Sequence, residues 1–215
     1  MRKNSLSGSV LILTLLLASQ VFAQDRVGSI TGLEGESTLE RAGRQSPVAL
    51  AMELKGGDRL RTGSHSHLNI TLADGSQLTL FEDSSMVLGG VPSTHRASLA
   101  NLLKGRLRSL IQWSPSLSSS SSVFEVHTPN AIAGVRGTDF ETAYTEGRPC
   151  PGFPDCLRYT DVGVFKGVVE VSNPTSKTAA PVTVTEGHET KVPCELPPTA
   201  SAPLRLGEIG GPSYH

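Results

Sequence analysis

Short runs of alternating apolar and polar residues dominate this chain, and glycine-containing turns separate them. Leu68, Ile70 and Leu72 alternate with Asn69 and Thr71, and Leu78 and Leu80 alternate with Gln77 and Thr79. Successive side chains of a strand point to opposite faces, so period two marks a half-buried strand. Asp74 and Gly75 stand between these two runs and predict a tight hairpin turn. Residues 123–127 and 140–144 alternate in the same way. So do 162–171 and 182–192, with turns predicted at Lys166-Gly167 and Glu186-Gly187. Strands this short and this evenly spaced predict an all-β fold of antiparallel or solenoid-like strands, either a β-sandwich or a β-solenoid. Residues 97–104 carry Leu99, Leu102 and Leu103 at a spacing that also suits a helical turn ended by Gly105.

The densest motif runs from Thr128 to Phe140. Pro129 and Asn130 open a turn, because proline presets φ and asparagine tolerates left-handed backbone. Ala131, Ala133, Gly134 and Gly137 are small enough for another segment to come close. Val135, Thr138, Asp139 and Phe140 then return to strand alternation. Arg136 is the lone charge before Asp139, and it admits two readings. Its guanidinium, with glycine N–H groups beside it, suits capture of a phosphate or carboxylate. The favoured reading pins Arg136 inside the turn, bonded to backbone carbonyls and to Asp139 or another acid, so that its loss would lower the melting temperature sharply.

This motif resembles the signature of the FecR domain. Weaker similarities flank it at Gly56–Gly63, Leu72–Leu80, Leu103–Leu107, Gly167–Val171 and Val182–Val192. The resemblance spans roughly residues 50 to 192. It favours strand on both sides of Gly105. It implies a single FecR-like domain at 50–192, preceded by N-terminal strands at 24–49. It also implies a periplasmic, non-enzymatic module, often the outer part of a transmembrane anti-sigma regulator that relays a receptor signal to a sigma factor. A cleavable leader would stand here in place of the regulator's cytoplasmic segment and spanning helix. The resemblance therefore implies an exported scaffold or sensor that engages an envelope protein partner.

Residues 1–23 read as that leader. Arg2 and Lys3 form a basic start, an apolar run follows, and Ala23/Gln24 fits the cleavage rule. The apolar run is shorter than the ~20 residues a span needs, so no stable membrane insertion is expected after cleavage. Losing Arg2 and Lys3 leaves 17 basic against 20 acidic residues, a balance of −3. That offers no electrostatic case for nucleic acid. Peptidoglycan or another glycan is the alternative ligand, and one Trp with three Tyr makes a poor aromatic platform for it.

The remaining chemistry is thin. Cys150 and Cys156 bracket a Pro/Gly loop and make the expected disulfide, with Cys194 as the rival partner of either. No cysteine spacing fits zinc. His65 and His67 would share a strand face, but no metal or other cofactor is expected. No hydrolase elbow occurs, so no catalytic residue is assigned. Lys104, Arg106 and Arg108 would line one face of a strand as a candidate basic binding stripe, or as charges that protect an edge. Residues 113–122 are serine-rich and read as a loop, and 193–215 read as a disordered tail.

Overall fold

The computed structural model describes residues 26–89, 99–112, 124–176 and 180–205. The expected leader and the serine-rich loop lie outside these residues. No helix occurs among the described residues, which form seventeen strands. They run in chain order β1 (Arg26–Glu34), β2 (Ser37–Arg41), β3 (Arg44–Pro47), β4 (Glu53–Lys55), β5 (Arg59–Thr62) and β6 (His67–Leu72). Next come β7 (Gln77–Leu80), β8 (Ser85–Leu88), β9 (Leu99–Leu110), β10 (Phe124–His127), β11 (Ile132–Val135) and β12 (Asp139–Glu146). The last five are β13 (Arg158–Lys166), β14 (Val168–Ser172), β15 (Val182–Thr185), β16 (His188–Pro193) and β17 (Ala202–Pro203).

These strands form two ladders that share β9. The front ladder runs β4-β1-β6-β7-β9-β12-β13-β16-β17. The back ladder runs β3-β2-β5-β8-β9-β10-β11-β14-β15. All pairings are antiparallel except β9 with β10, so the whole is one large open mixed sheet. A solenoid stacks parallel rungs, whereas these antiparallel ladders pack in the manner of a sandwich. The N-terminal strands belong to the same ladders, since β1 pairs with both β4 and β6.

The alternation read from sequence sets which face is buried. On β6, Leu68, Ile70 and Leu72 point inward, as do Leu78 and Leu80 on β7. On the back ladder, Leu60, Met86, Ala100 and Leu102 point inward, as do Val126, Val135, Val169 and Val184. Both ladders turn these side chains into a single apolar cluster. Each fully buried Leu or Ile contributes roughly 2 kcal/mol relative to exposure.

Residue Gly105 lets β9 serve both ladders. Lys104 still registers with Ser85 of β8, while Gly105 already registers with Tyr144 of β12. The backbone changes ladder at a φ of +85°. Both sides of Gly105 are strand rather than helix.

The segment expected to be a disordered tail is ordered through residue 205. Thr199 exchanges backbone and hydroxyl hydrogen bonds with Thr190 and Lys191, and Asn173 Nδ2 donates to the Leu196 carbonyl at 2.7 Å. Short polar side chains supply partners that the segment's composition does not reveal.

Candidate functional site

The signature begins as a clamp. Strands β10 and β11 are joined by the turn at Thr128–Ala131, closed by Thr128 N–H donating to the Ala131 carbonyl at 2.8 Å. Ala131 N–H returns a bond to Thr128 Oγ1 at 2.9 Å. Pro129 stays exposed, while Asn130 is fully buried. Asn130 Nδ2 donates to the carbonyls of Val192 at 2.7 Å and Cys194 at 3.2 Å. Its Oδ1 accepts from Thr160 Oγ1 at 2.7 Å. One amide thus ties the turn to β13, to β16 and to the segment that follows β16. Asn130→Ala is expected to cost about 2–4 kcal/mol, because it deletes these bonds and orphans buried partners. Asn130→Asp should be at least as damaging, since it sets a carboxylate against two carbonyl oxygens. Urea unfolding of both variants checks this; a loss under 1 kcal/mol in Asn130→Ala would remove the clamp role.

Beyond the turn, Ala133 and Val135 enter the core while Gly134 faces outward between Glu125 and Glu170 in register. Arg136 lies on the same outward side and is exposed. It has no ion pair or side-chain hydrogen bond among the described residues. The expectation that Arg136 is pinned inside the turn is therefore wrong. It lies just past the last paired residue of β11, and Asp139 is taken by another arginine. Gly137 turns the chain at a φ of +61°. Thr138 is buried, with Oγ1 donating to the Val168 carbonyl at 3.2 Å. Asp139 opens β12, and Phe140 is fully buried in the core.

The candidate basic stripe is not a free one. Lys104 is exposed on the back-ladder side of Gly105, whereas Arg106 and Arg108 belong to the outer face of the front ladder. Arg108 forks onto Asp139, with Nε to Oδ1 at 3.0 Å and Nη2 to Oδ2 at 2.9 Å. Arg106 lies 3.5 Å from Glu141. Each arginine also caps an aromatic ring, Arg106 over Phe81 at 4.0 Å and Arg108 over Phe165 at 4.2 Å. Lys191 pairs with Asp161 and sits 4.6 Å from the Tyr159 ring centre. Cross-strand register builds this layer, since β12 runs beside β9 with Glu141 opposite Arg108. Its acids lie about thirty residues away in sequence, so a local reading sees only the bases.

Glu141 is the unusual member, because it is only 5% exposed on the outer face of a sheet. Burial pushes its carboxyl above the ordinary glutamate range, against the pull of Arg106 and Arg108. The folded protein therefore holds this proton more tightly than the unfolded chain does. The stabilisation from proton uptake is complete below the unfolded value of ~4.3 and is lost as pH rises through the higher folded value. Glu141→Gln should remove that slope. Its melting temperature relative to wild type is expected to climb between pH 4 and 7, and a constant difference across that range would contradict the shift.

The cysteines pair differently from expectation. Cys156 is bonded to Cys194, and Cys150 is a free, buried thiol. The register of β16 against β13 sets Pro193 opposite Tyr159 and so delivers Cys194 beside Cys156. His65 lies in a turn with a φ of +51°, outside the strand that begins at His67, so the two imidazoles do not share a strand face.

The model of the family described as FecR protein matches residues 58–170, 113 of the chain's 215 residues. The chain belongs to the FecR family. This match contains the clamp turn, Arg136 and the paired arginines of β9. The FecR chain is also similar to a Parabacteroides distasonis protein provisionally assigned as an anti-sigma factor, whose crystal structure was determined at 1.65 and 2.50 Å. Both comparisons give 20% identity and a TM-score of 0.49, covering 63% of this chain and 54% of that one. The FecR chain thus spans about half the length of that relative. A cell surface anchoring domain is similar at 25% identity and a TM-score of 0.28, over 29% of this chain and 83% of that one. No curated protein sequence matches the FecR chain.

Proposed function

We propose that this FecR-family chain is an exported, non-enzymatic sensing or scaffold module of the bacterial envelope that engages a partner protein. Membership of the FecR family carries this reading. Three features support it. The sequence opens with an expected leader. A disulfide between Cys156 and Cys194 suits an oxidising compartment. Arg136 offers an exposed fork of donors with no partner of its own among the described residues, a residue type enriched where proteins meet. Glycan binding gains no such support. Phe81, Phe165 and Tyr159 each carry a cationic side chain over the ring, so none offers an open stacking platform.

The test is site-specific photocrosslinking beside Arg136 in intact envelopes, with mass spectrometry of the adducts. The expected result is one reproducible protein adduct, lost in Arg136→Glu. Arg136→Ala should itself change stability by no more than about 0.5 kcal/mol, as for other exposed sites. Adducts to wall glycan alone, or a protein adduct indifferent to Arg136→Glu, would overturn the reading.

A further inference from the structure

We propose that Cys150, Cys156 and Cys194 form an intramolecular thiol–disulfide exchange site, so that the chain has two disulfide isomers and the C-terminal strap is covalently latched in only one. The geometry rests on the short loop that holds Cys150. Cys150 N–H donates to the Cys156 carbonyl at 2.7 Å, and two further turns, Phe153 N–H to Cys150 O and Cys156 N–H to Phe153 O, each at 2.9 Å, close the loop. A backbone bond of this kind leaves the two Cα atoms about 5–6 Å apart, inside the range a disulfide bridges. Cys156 and Cys194 have a Cα separation of 5.8 Å. Cys156 is therefore within bridging range of both other cysteines, and both Cys150 and Cys156 are buried.

The step balances without an external oxidant. Cys150 gives its proton to solvent and its thiolate attacks Cys156 Sγ. A Cys150–Cys156 bond forms as the Cys156–Cys194 bond breaks, and Cys194 leaves as a thiolate that takes up a proton. One disulfide and one thiol exist before and after. Burial holds the Cys150 thiol above its ordinary range, and the charged groups acting on it are Lys191 and Asp161. Attack is therefore slow at neutral pH and accelerates with the thiolate fraction.

The two isomers differ in what they restrain. The Cys156–Cys194 bond closes the longer loop and so restrains the unfolded chain more. It also fastens the strap that follows β16, where the Cys194 carbonyl accepts from Asn130 Nδ2 at 3.2 Å and from Asn173 Nδ2 at 3.0 Å. In the Cys150–Cys156 isomer that strap, with β17, is held by hydrogen bonds alone.

The isomers are distinguished by which cysteine is free. The folded full chain is incubated between pH 6.5 and 8.5 without added thiol, quenched in acid, unfolded, alkylated and mapped by mass spectrometry. The expected result is a fraction alkylated at Cys194 in place of Cys150, forming about tenfold faster per pH unit. It should vanish in Cys150→Ser. In Cys194→Ser, Cys150 and Cys156 should become bonded to each other under mild oxidation. Alkylation confined to Cys150 at every pH in the wild-type chain would overturn the proposal, whether or not Cys194→Ser folds.

Discussion

Gly105→Ala is expected to lower stability by about 2–5 kcal/mol and the melting temperature by roughly 10 °C, the scale for a chain of this size. Two independent costs add at this residue. A φ of +85° disfavours any side chain by roughly 1–2 kcal/mol. A Cβ there would also lie 2.1 Å from Ser84 Oγ and 2.7 Å from Ser84 Cα. Ser84 cannot retreat, because it is buried, its N–H donates to Thr62 Oγ1 at 3.0 Å and its Oγ accepts from Arg106 N–H at 2.9 Å. Overpacking of this kind costs about 1–3 kcal/mol more. Gly43→Ala is the matched control. It has a φ of +74° and nothing within 4 Å of the new Cβ, so it should lose only the conformational part. Equal losses in the two variants, measured by urea unfolding, would refute the role of Ser84. The damage in Gly105→Ala should also reach both ladders together, since β9 is their shared strand.

Cys156→Ser is expected to cost about 4 kcal/mol. The Cys156–Cys194 bond spans a sequence separation of 38, and loop closure in the unfolded chain at that length is worth about this much. Removing Cys156 abolishes this pairing and the alternative one with Cys150, and the double variant Cys150→Ser/Cys156→Ser also excludes a bridge between Cys150 and Cys194. Reduction of the wild-type chain should reproduce most of the loss. Cys150→Ser should keep the bridge and lose only what its packing provides. Thermal melts with and without reductant decide the matter: a wild-type melt insensitive to reductant, after its disulfide is shown to be open, would mean the strap is held by Asn130 and Asn173 instead.

Strands were legible wherever the deciding interactions are local. The hairpin at Asp74 and Gly75 is present, with Gly75 at a φ of +86° and Ser76 N–H donating to Asp74 Oδ1 at 2.9 Å. The predicted reversal at Lys166-Gly167 separates β13 from β14, and that at Glu186-Gly187 separates β15 from β16. The turn at Pro129 and Asn130 was legible, but the buried bonds of Asn130 to Thr160, Val192 and Cys194 were not, because those partners lie thirty or more residues away. Arg136 was misread. Its neighbours are small and apolar, which suggests burial, yet its position just past a ladder's end puts it in solvent. Of the front-face acids, Asp139 was read as a partner for Arg136 when it belongs to Arg108, and Glu141 was not singled out. Both assignments appear only when β9 is laid beside β12.

By itself the sequence determined the all-β character of the chain, its inward-facing residues, its main turns and its family. Each depends on patterns within a few residues, because strand periodicity and turn conformations are short-range properties. Only the tertiary structure decided the sharing of β9 by two ladders, the exposure of Arg136, the neutralisation of Arg106 and Arg108, and the choice of Cys194 by Cys156. Those depend on register between strands from about a dozen to nearly forty residues apart. Register is a collective outcome of burying one face of every strand at once, and no single segment encodes it.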